Sequence, residues 1–342
     1  MGSEMCIRDR FYDLTTLYFE TSDEDDLRKI GFSKDGKHQC PQIYLGLLVG
    51  LGGYAIGYDI FEGNIYEGYT LIPFLEEMSC KFNLNKPVVI ADSGLLSNRN
   101  IKALESAGYE YILGARIKNE SEGIKEKILA TEFSDGMTVS MEKSANTRLI
   151  VNYSVSRAKK DAYNRKRGLA RLEKQIKSGK LTKSSINNRG YNKYLKLSGK
   201  ITVEIDYEKY DNDRRWDGIK GYLTNTKLSD KEVMENYKNL WQIEKAFRIS
   251  KTDLRIRPIY HRIRNRIEAH ICIAFSAYCI LKELERVLYK EKSDISLKRA
   301  RELTQNMYQI TYTLPESKQT KSKLLSMDEE QAELYRIIYK NF

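Results

Sequence analysis

Three acidic residues stand where their surroundings call for something else. Asp13 lies in FYDLTTLYFE, Asp92 ends the apolar run of KPVVIADSGLL, and Glu244 lies within YKNLWQIEKAFRISK. In that last stretch Tyr237, Glu244 and Lys251 recur at heptad spacing. A continuous helix would set them on one face, a buried acid between two groups suited to phosphate. Converging carboxylates raise each other's pKa unless a divalent cation neutralises them. Magnesium prefers a few carboxylate oxygens, with water and substrate phosphate completing its octahedron. Two such ions activate an attacking water or hydroxyl and stabilise the leaving oxygen of an in-line displacement. The chemistry that fits is therefore metal-dependent and directed at phosphodiesters. His38, His261 and His270 sit in no nucleophile or zinc motif, and Cys6, Cys40, Cys80, Cys272 and Cys279 form no CxxC pair. Serine-triad and zinc mechanisms thus have little support.

Each acid also has a plainer role open to it. Asp13 shares a strand face with Phe11, Thr15, Leu17 and Phe19, where an unpaired charge costs several kcal/mol; it fits either an edge or capping acid or a ligand. Asp92 fits a helix cap, although Ser93, Ser97 or Asn98 can serve that role instead. Glu244 fits an exposed acid paired with Arg248 at i+4.

The elements that must position these residues are legible in outline. Phe11–Glu20, Ile43–Gly50 and Tyr54–Glu62 read as strands, the last two joined by LGG, which gives an antiparallel meander. A helix over Tyr69–Phe82, a strand over Pro87–Asp92, a helix over Asn98–Ser106 and a strand over Tyr109–Arg116 follow, an alternation that implies parallel pairing. Asp92 then closes a central strand at its carboxyl end, where ligands of open α/β sheets bind. From Lys118 to Thr226 the pattern reads as a separate insertion. Arg157–Lys200 alone holds fifteen Lys or Arg against two acids, a local +13 beside +11 for the whole chain. After strand-like pieces at Ile201–Tyr207 and Gly218–Leu223, a capping box at Ser229–Glu232 opens a helix expected to run to about Ser250. An apolar helix over Arg262–Tyr289 and shorter helices with one extended piece near Ile310 complete the chain.

With 342 residues, 41% hydrophobic and 31% charged, the chain supports a full α/β core and a second, smaller element. A pI near 9.1 favours an acidic partner. The run Ile271–Leu281 is too short to cross a bilayer, so no membrane partner is expected. The leader MGSEMCIRDR has no apolar core of a secretory signal. Its MCIRDR resembles a translated sequencing adapter, which predicts a non-native leader over residues 1–10 on an N-terminally truncated chain.

The order of strand Asp, strand-end Asp and helical Glu, with a large insertion before the last acid, resembles the DDE transposases of bacterial insertion sequences. The subgroup it resembles carries Tyr-x2-Arg-x3-Glu-x6-Lys on its last catalytic helix. Tyr237, Glu244 and Lys251 match, while Leu240 stands at the Arg position, with Arg248, Arg255 or Arg257 as substitutes for that phosphate contact. The segments YDLTTLYFE, VVIADSGLL and RIRPIYHRIRNRIEAHI are also similar to this group. The resemblance implies a ribonuclease-H-like α/β fold, with a mixed five-stranded sheet flanked by helices and interrupted by a basic insertion domain. The expected divisions are a catalytic core over 11–117 and 227–290, the insertion over 118–226, and a helical tail over 291–342. It further implies that Asp13, Asp92 and Glu244 ligate two Mg2+ or Mn2+ ions and that Tyr237 and Lys251 hold phosphate at an element's end. The partners would be double-stranded DNA, as transposon ends and target, with a homodimer on DNA and a cytoplasmic, nucleoid-associated location in bacteria. Related enzymes flip a base onto an aromatic side chain, for which Trp216 and Trp241 are candidates beside a packing role. Tyr163, Tyr191 and Tyr194 lie among the lysines as possible base-stacking groups. A catalytically silent DNA-binding remnant and a general nuclease of the same fold are the competing readings.

Overall fold

The computed structural model describes residues 9–33, 36–82, 86–95, 97–182, 185–187, 190–198 and 202–342. In chain order the elements begin with β1 (Asp9–Tyr18), β2 (Gln42–Gly50), β3 (Ala55–Glu62), α1 (Leu71–Phe82), β4 (Val88–Ala91), α2 (Asn98–Ser106) and β5 (Glu110–Ala115). The middle of the chain gives α3 (Glu122–Ala130), β6 (Thr138–Ser144), β7 (Thr147–Tyr153), α4 (Val155–Lys177), β8 (Leu195–Ser198), β9 (Thr202–Ile205), α5 (Tyr207–Asp213) and β10 (Ile219–Thr224). The last part gives α6 (Asp230–Lys238), α7 (Trp241–Arg248), α8 (Arg264–Lys290), α9 (Leu297–Gln305), β11 (Gln309–Thr313), β12 (Thr320–Leu324) and α10 (Glu329–Asn341). The chain divides into two compact units, Met1–Met78 with Trp241–Phe342, and Ser79–Leu240.

In the first unit β1, β2 and β3 form the expected antiparallel meander. Gly52 and Gly53 take φ of +78° and +81° in the connection between β2 and β3, a left-handed turn that a Cβ would strain. β2 is buried along its whole length, so both faces of the meander are covered. On one face Tyr12 packs on Phe74 of α1, ring centroids 4.8 Å apart, and its hydroxyl bonds Thr70 at 2.8 Å. On the other, α7 lies on β1 and β2, and α8 on β3. A satellite core of Val287, Leu288, Ile295, Ala300, Leu303, Leu334 and Ile337 joins α8, α9 and α10. The extended piece expected near Ile310 is one arm of a hairpin, β11 with β12, exposed throughout. Residues 1–8 of the expected leader lie outside the described residues, whereas Arg10 already pairs with Gly50 in the sheet.

In the second unit β4 and β5 pair in parallel, with α2 between them in sequence. All four residues of β4 are buried, as an apolar run closed by one acid predicts. Beyond β5 the sheet continues antiparallel through β10, β7 and β6. These three strands come from the stretch expected to leave the sheet, so a larger mixed sheet replaces the expected five-stranded one. The apolar run Leu149, Ile150 and Val151, all fully buried, is a strand signal overshadowed by the basic composition that follows it. Among the described residues, what stands off the sheet is α4, β8, β9 and α5, with a small core of Leu172, Tyr194, Leu195 and Ile205.

The capping box forms as expected at the start of α6, Ser229 accepting from the Glu232 nitrogen while Glu232 accepts from Ser229. The helix does not run to Ser250. It closes at Asn239, and Leu240 bonds back to the Tyr237 carbonyl at 3.1 Å before α7 begins. Asn is a weak helix former that suits a C-terminal cap, and the break carries the chain from the second unit to the first. Among the described residues no helix is long and apolar enough to cross a membrane.

Candidate functional site

In the first unit Asp13 lies on the meander, and Glu244 on α7, the helix that packs against β1 and β2. Asp13 stands opposite Leu47 in the β1–β2 register, and Leu47 lines a small cavity with Ile271 and Phe275 of α8. Directly paired residues share a face, so Asp13 points to the side that α7 and α8 cover. It is half-buried, and its Oδ1 accepts the Leu14 amide at 2.8 Å. α7 seats Ile243, Ala246 and Phe247 inward and leaves Glu244 and Arg248 exposed. Glu244 is therefore a solvent-facing carboxylate rather than the buried acid that its apolar neighbours imply.

Lys251 lies not on an α-helix but in a π turn, Ile249–Asp253, closed by Leu254 nitrogen to Ile249 carbonyl at 3.0 Å. The wider turn displaces Lys251 from the face that heptad spacing assigns it. Together with the break at Asn239, it dissolves the single Tyr237–Glu244–Lys251 stripe. Arg255 follows in a left-handed conformation, φ +50°, which costs a non-glycine residue of order 1 kcal/mol. The Arg257 guanidinium lies 5.9 Å above the Tyr18 ring, and Lys37 lies 5.3 Å from that ring. Next to it Ile259 bridges to the end of β1. Arg248 borders a cavity of about 700 Å³ with Lys245, Lys298 and Arg301.

In the second unit Asp92 is exposed at the carboxyl end of β4. Helix α2 is capped by Ser97, which accepts the Asn100 amide, so Asp92 is not spent as that cap. Instead it accepts the Tyr237 hydroxyl at 3.1 Å. Tyr237 is itself buried, its ring edge-on to Tyr222 at 4.9 Å and beneath the Lys220 ammonium at 4.3 Å. Burial pushes the Tyr222 phenol up, and the Arg157 cation pulls it partly back. Lys220 and Tyr222 escaped the sequence reading because their strand was assigned to the insertion; their i, i+2 spacing on β10 is the signal that places both on one face.

The contact between Tyr237 and Asp92 depends on Gly114 of β5. A Cβ there would stand 2.5 Å from the Tyr237 hydroxyl and 3.1 Å from the Ser93 nitrogen. Gly114→Ala is expected to displace that hydroxyl and cost about 1–3 kcal/mol by overpacking, measured by urea unfolding. Adding Tyr237→Phe should recover part of the loss, because the clashing oxygen is then gone.

The basic region has its own scaffold. Asp213 accepts from Lys118 at 2.7 Å, from the Tyr194 hydroxyl at 2.6 Å and from Lys193. Burial works to raise its carboxyl, but these three donors outweigh it and hold the group well below the usual carboxylate range. Tyr194 is thus buried inside this cluster and unavailable for stacking, and Tyr191 covers Gly168 of α4. Tyr163 is 64% exposed, with Arg167 5.8 Å from its ring. Trp241 is largely exposed, while Trp216 is half-buried beneath Lys118.

As donors, Asp13, Asp92 and Glu244 offer oxygen only, the chemistry that suits magnesium or manganese rather than zinc. Among the described residues no three His, Cys, Asp or Glu side chains lie close enough to hold a metal ion. Asp13 and Glu244 come from the first unit and Asp92 from the second.

The fold and these two sets of residues define an α/β protein with exposed carboxylates at a strand end and on a helix that packs against the meander. Its family is that of the transposase DDE domain: the family model matches residues 5–280, and the chain belongs to it. No curated protein matches the chain. Among solved structures, the piggyBac transposase synaptic complex with hairpin DNA is similar at 9% identity and TM-score 0.49, covering 87% of this chain and 52% of that one. The chain therefore spans about half the length of that protein. The Mos1 transposase paired-end complex is similar over 32% of this chain and 36% of that one, at 12% identity and TM-score 0.24. Marinitoga piezophila Argonaute with a guide RNA is similar over 68% of this chain and 26% of that one, at 9% identity and TM-score 0.25.

Proposed function

We propose that the chain is a transposase of the bacterial insertion-sequence type, which cuts DNA at the ends of its element and joins the freed 3′-hydroxyl to target DNA. The observation that carries this reading is the family match over residues 5–280, which spans Asp13, Asp92 and Glu244 together. These three are the proposed ligands of two Mg2+ or Mn2+ ions, in a ribonuclease-H-like core. Bound there, the ions would supply activation of the attacking oxygen and charge neutralisation at the leaving one. The chain's own part is to hold DNA and orient the acids. The Tyr237 hydroxyl bonds one Asp92 oxygen at 3.1 Å and so limits the rotation of that carboxylate. Lys251, Arg248, Arg255 and Arg257 are the proposed phosphate contacts, and the excess positive charge of 157–200 tracks the backbone, adding salt-dependent affinity. The DNA-bound form is proposed to be a homodimer.

The test is incubation with duplex DNA bearing the inverted repeats that flank the gene, without metal and with magnesium or manganese. Metal-dependent nicks at the repeat ends, followed by joined products, are expected. Nicks without joined products would instead make the protein a general nuclease. Tight binding without cleavage in either metal would favour a silent remnant, a reading kept open by Leu240, which is buried where the subgroup has Arg.

A further inference from the structure

We infer that Lys220 is a DNA-phosphate contact, presented on an aromatic platform at the same sheet edge as Asp92. This rests on the DNA-processing reading and adds a residue to it. β4 ends at Ala91, and β10 runs antiparallel to β5, whose parallel neighbour is β4. The beginning of β10, where Lys220 lies, is thus at the edge where β4 and β5 finish. There the Lys220 ammonium stands 4.3 Å from the Tyr237 ring centroid and 5.4 Å from that of Tyr222. The two rings meet edge to face at 4.9 Å and fix each other.

An ammonium over ring faces is attracted by the negative charge those faces present. Its long stem loses freedom in advance, so less ordering cost falls on phosphate binding. The Tyr237 ring under Lys220 carries the hydroxyl that bonds Asp92, so a phosphate held by Lys220 would lie at the margin of the acid's own edge.

The probe is a fluorescein-labelled duplex of mixed sequence, bound by the full chain without metal at a series of salt concentrations. Each neutralised phosphate contributes about 0.9 to the slope of log K against log salt. Lys220→Met should lower the slope by about 0.9, and Lys220→Arg should keep it. An unchanged slope in Lys220→Met, or an equal loss in both variants, would overturn the inference in favour of a prop for Tyr237. Reductive methylation of the unaltered protein provides a measurement free of folding effects: labelling of Lys220 should slow in the presence of the duplex, and equal labelling would overturn the inference as well. If the parent chain binds and cuts DNA while Lys220 proves indifferent, the transposase reading stands and only this contact falls. A parent chain that fails to bind the duplex would remove both.

Discussion

Asp92→Asn should leave the protein folded and bound to DNA but reduce metal-dependent cleavage by at least about 100-fold, since loss of an outer-shell partner alone costs roughly 10–100-fold. The substitution isolates charge from shape. An amide oxygen can still accept the Tyr237 hydroxyl, which bonds Asp92 at 3.1 Å, and the residue is exposed, so stability should move by less than about 0.5 kcal/mol. Tyr237→Phe is the companion experiment. It keeps the carboxylate and removes its restraint, so cleavage should fall by only about 10-fold. Equal activity of Asp92→Asn and the parent chain, assayed as nicking of end-labelled duplex on a denaturing gel, would remove Asp92 from the proposed ligand set.

Asp213→Asn is expected to cost about 2 kcal/mol of stability at pH 7, because hydrogen bonds to a charged group contribute roughly 1.5–3 kcal/mol each and the amide retains some of them. The carboxylate is mostly buried, its side chain 17% exposed, and joins Lys118 and Lys193 from different parts of the second unit. The pH dependence follows from the depressed carboxyl. A group whose folded pKa lies below its unfolded value near 3.8 contributes fully above that value. Its contribution drains away as pH falls toward the folded pKa. The difference between the parent chain and the variant in urea unfolding should therefore be flat from neutral pH to about 5 and shrink below about 4. A difference that instead grew on acidification would show that Asp213 is not held as the anion.

The strands that carry two of the acids were legible because burial leaves a direct mark on composition. Val88–Ala91 can be apolar on both sides only inside a sheet, and the glycines of the β2–β3 connection announce a hairpin. Ser229 and Glu232 likewise specify a local structure with their own atoms. What escaped depends on non-local or subtle events. The bond from Tyr237 to Asp92 spans 145 positions, and nothing in either segment encodes the other. The stop at Asn239 is a difference of a few tenths of a kcal/mol in helix preference, too small to read against strong flanking periodicity. β6 and β7 were overlooked, and β10 was read as a strand but left in the insertion, because a dense run of charge on α4 coloured the reading of its neighbours.

The way the chain leaves β7 and re-enters the sheet at β10 also bears on how such a protein can change over time. Tyr153 and Ile219 are cross-strand partners, and the Ser154 nitrogen bonds the Gly218 carbonyl at 3.0 Å. The whole excursion from 155 to 217 thus begins and ends at adjacent points on two paired strands. Cutting it out would leave a gap that a hairpin turn of two residues can close. The charged excursion is consequently an exchangeable cassette. A replacement between the same two positions would keep the pairing of Tyr153 with Ile219 while giving up the ion pair of Asp213 with Lys118.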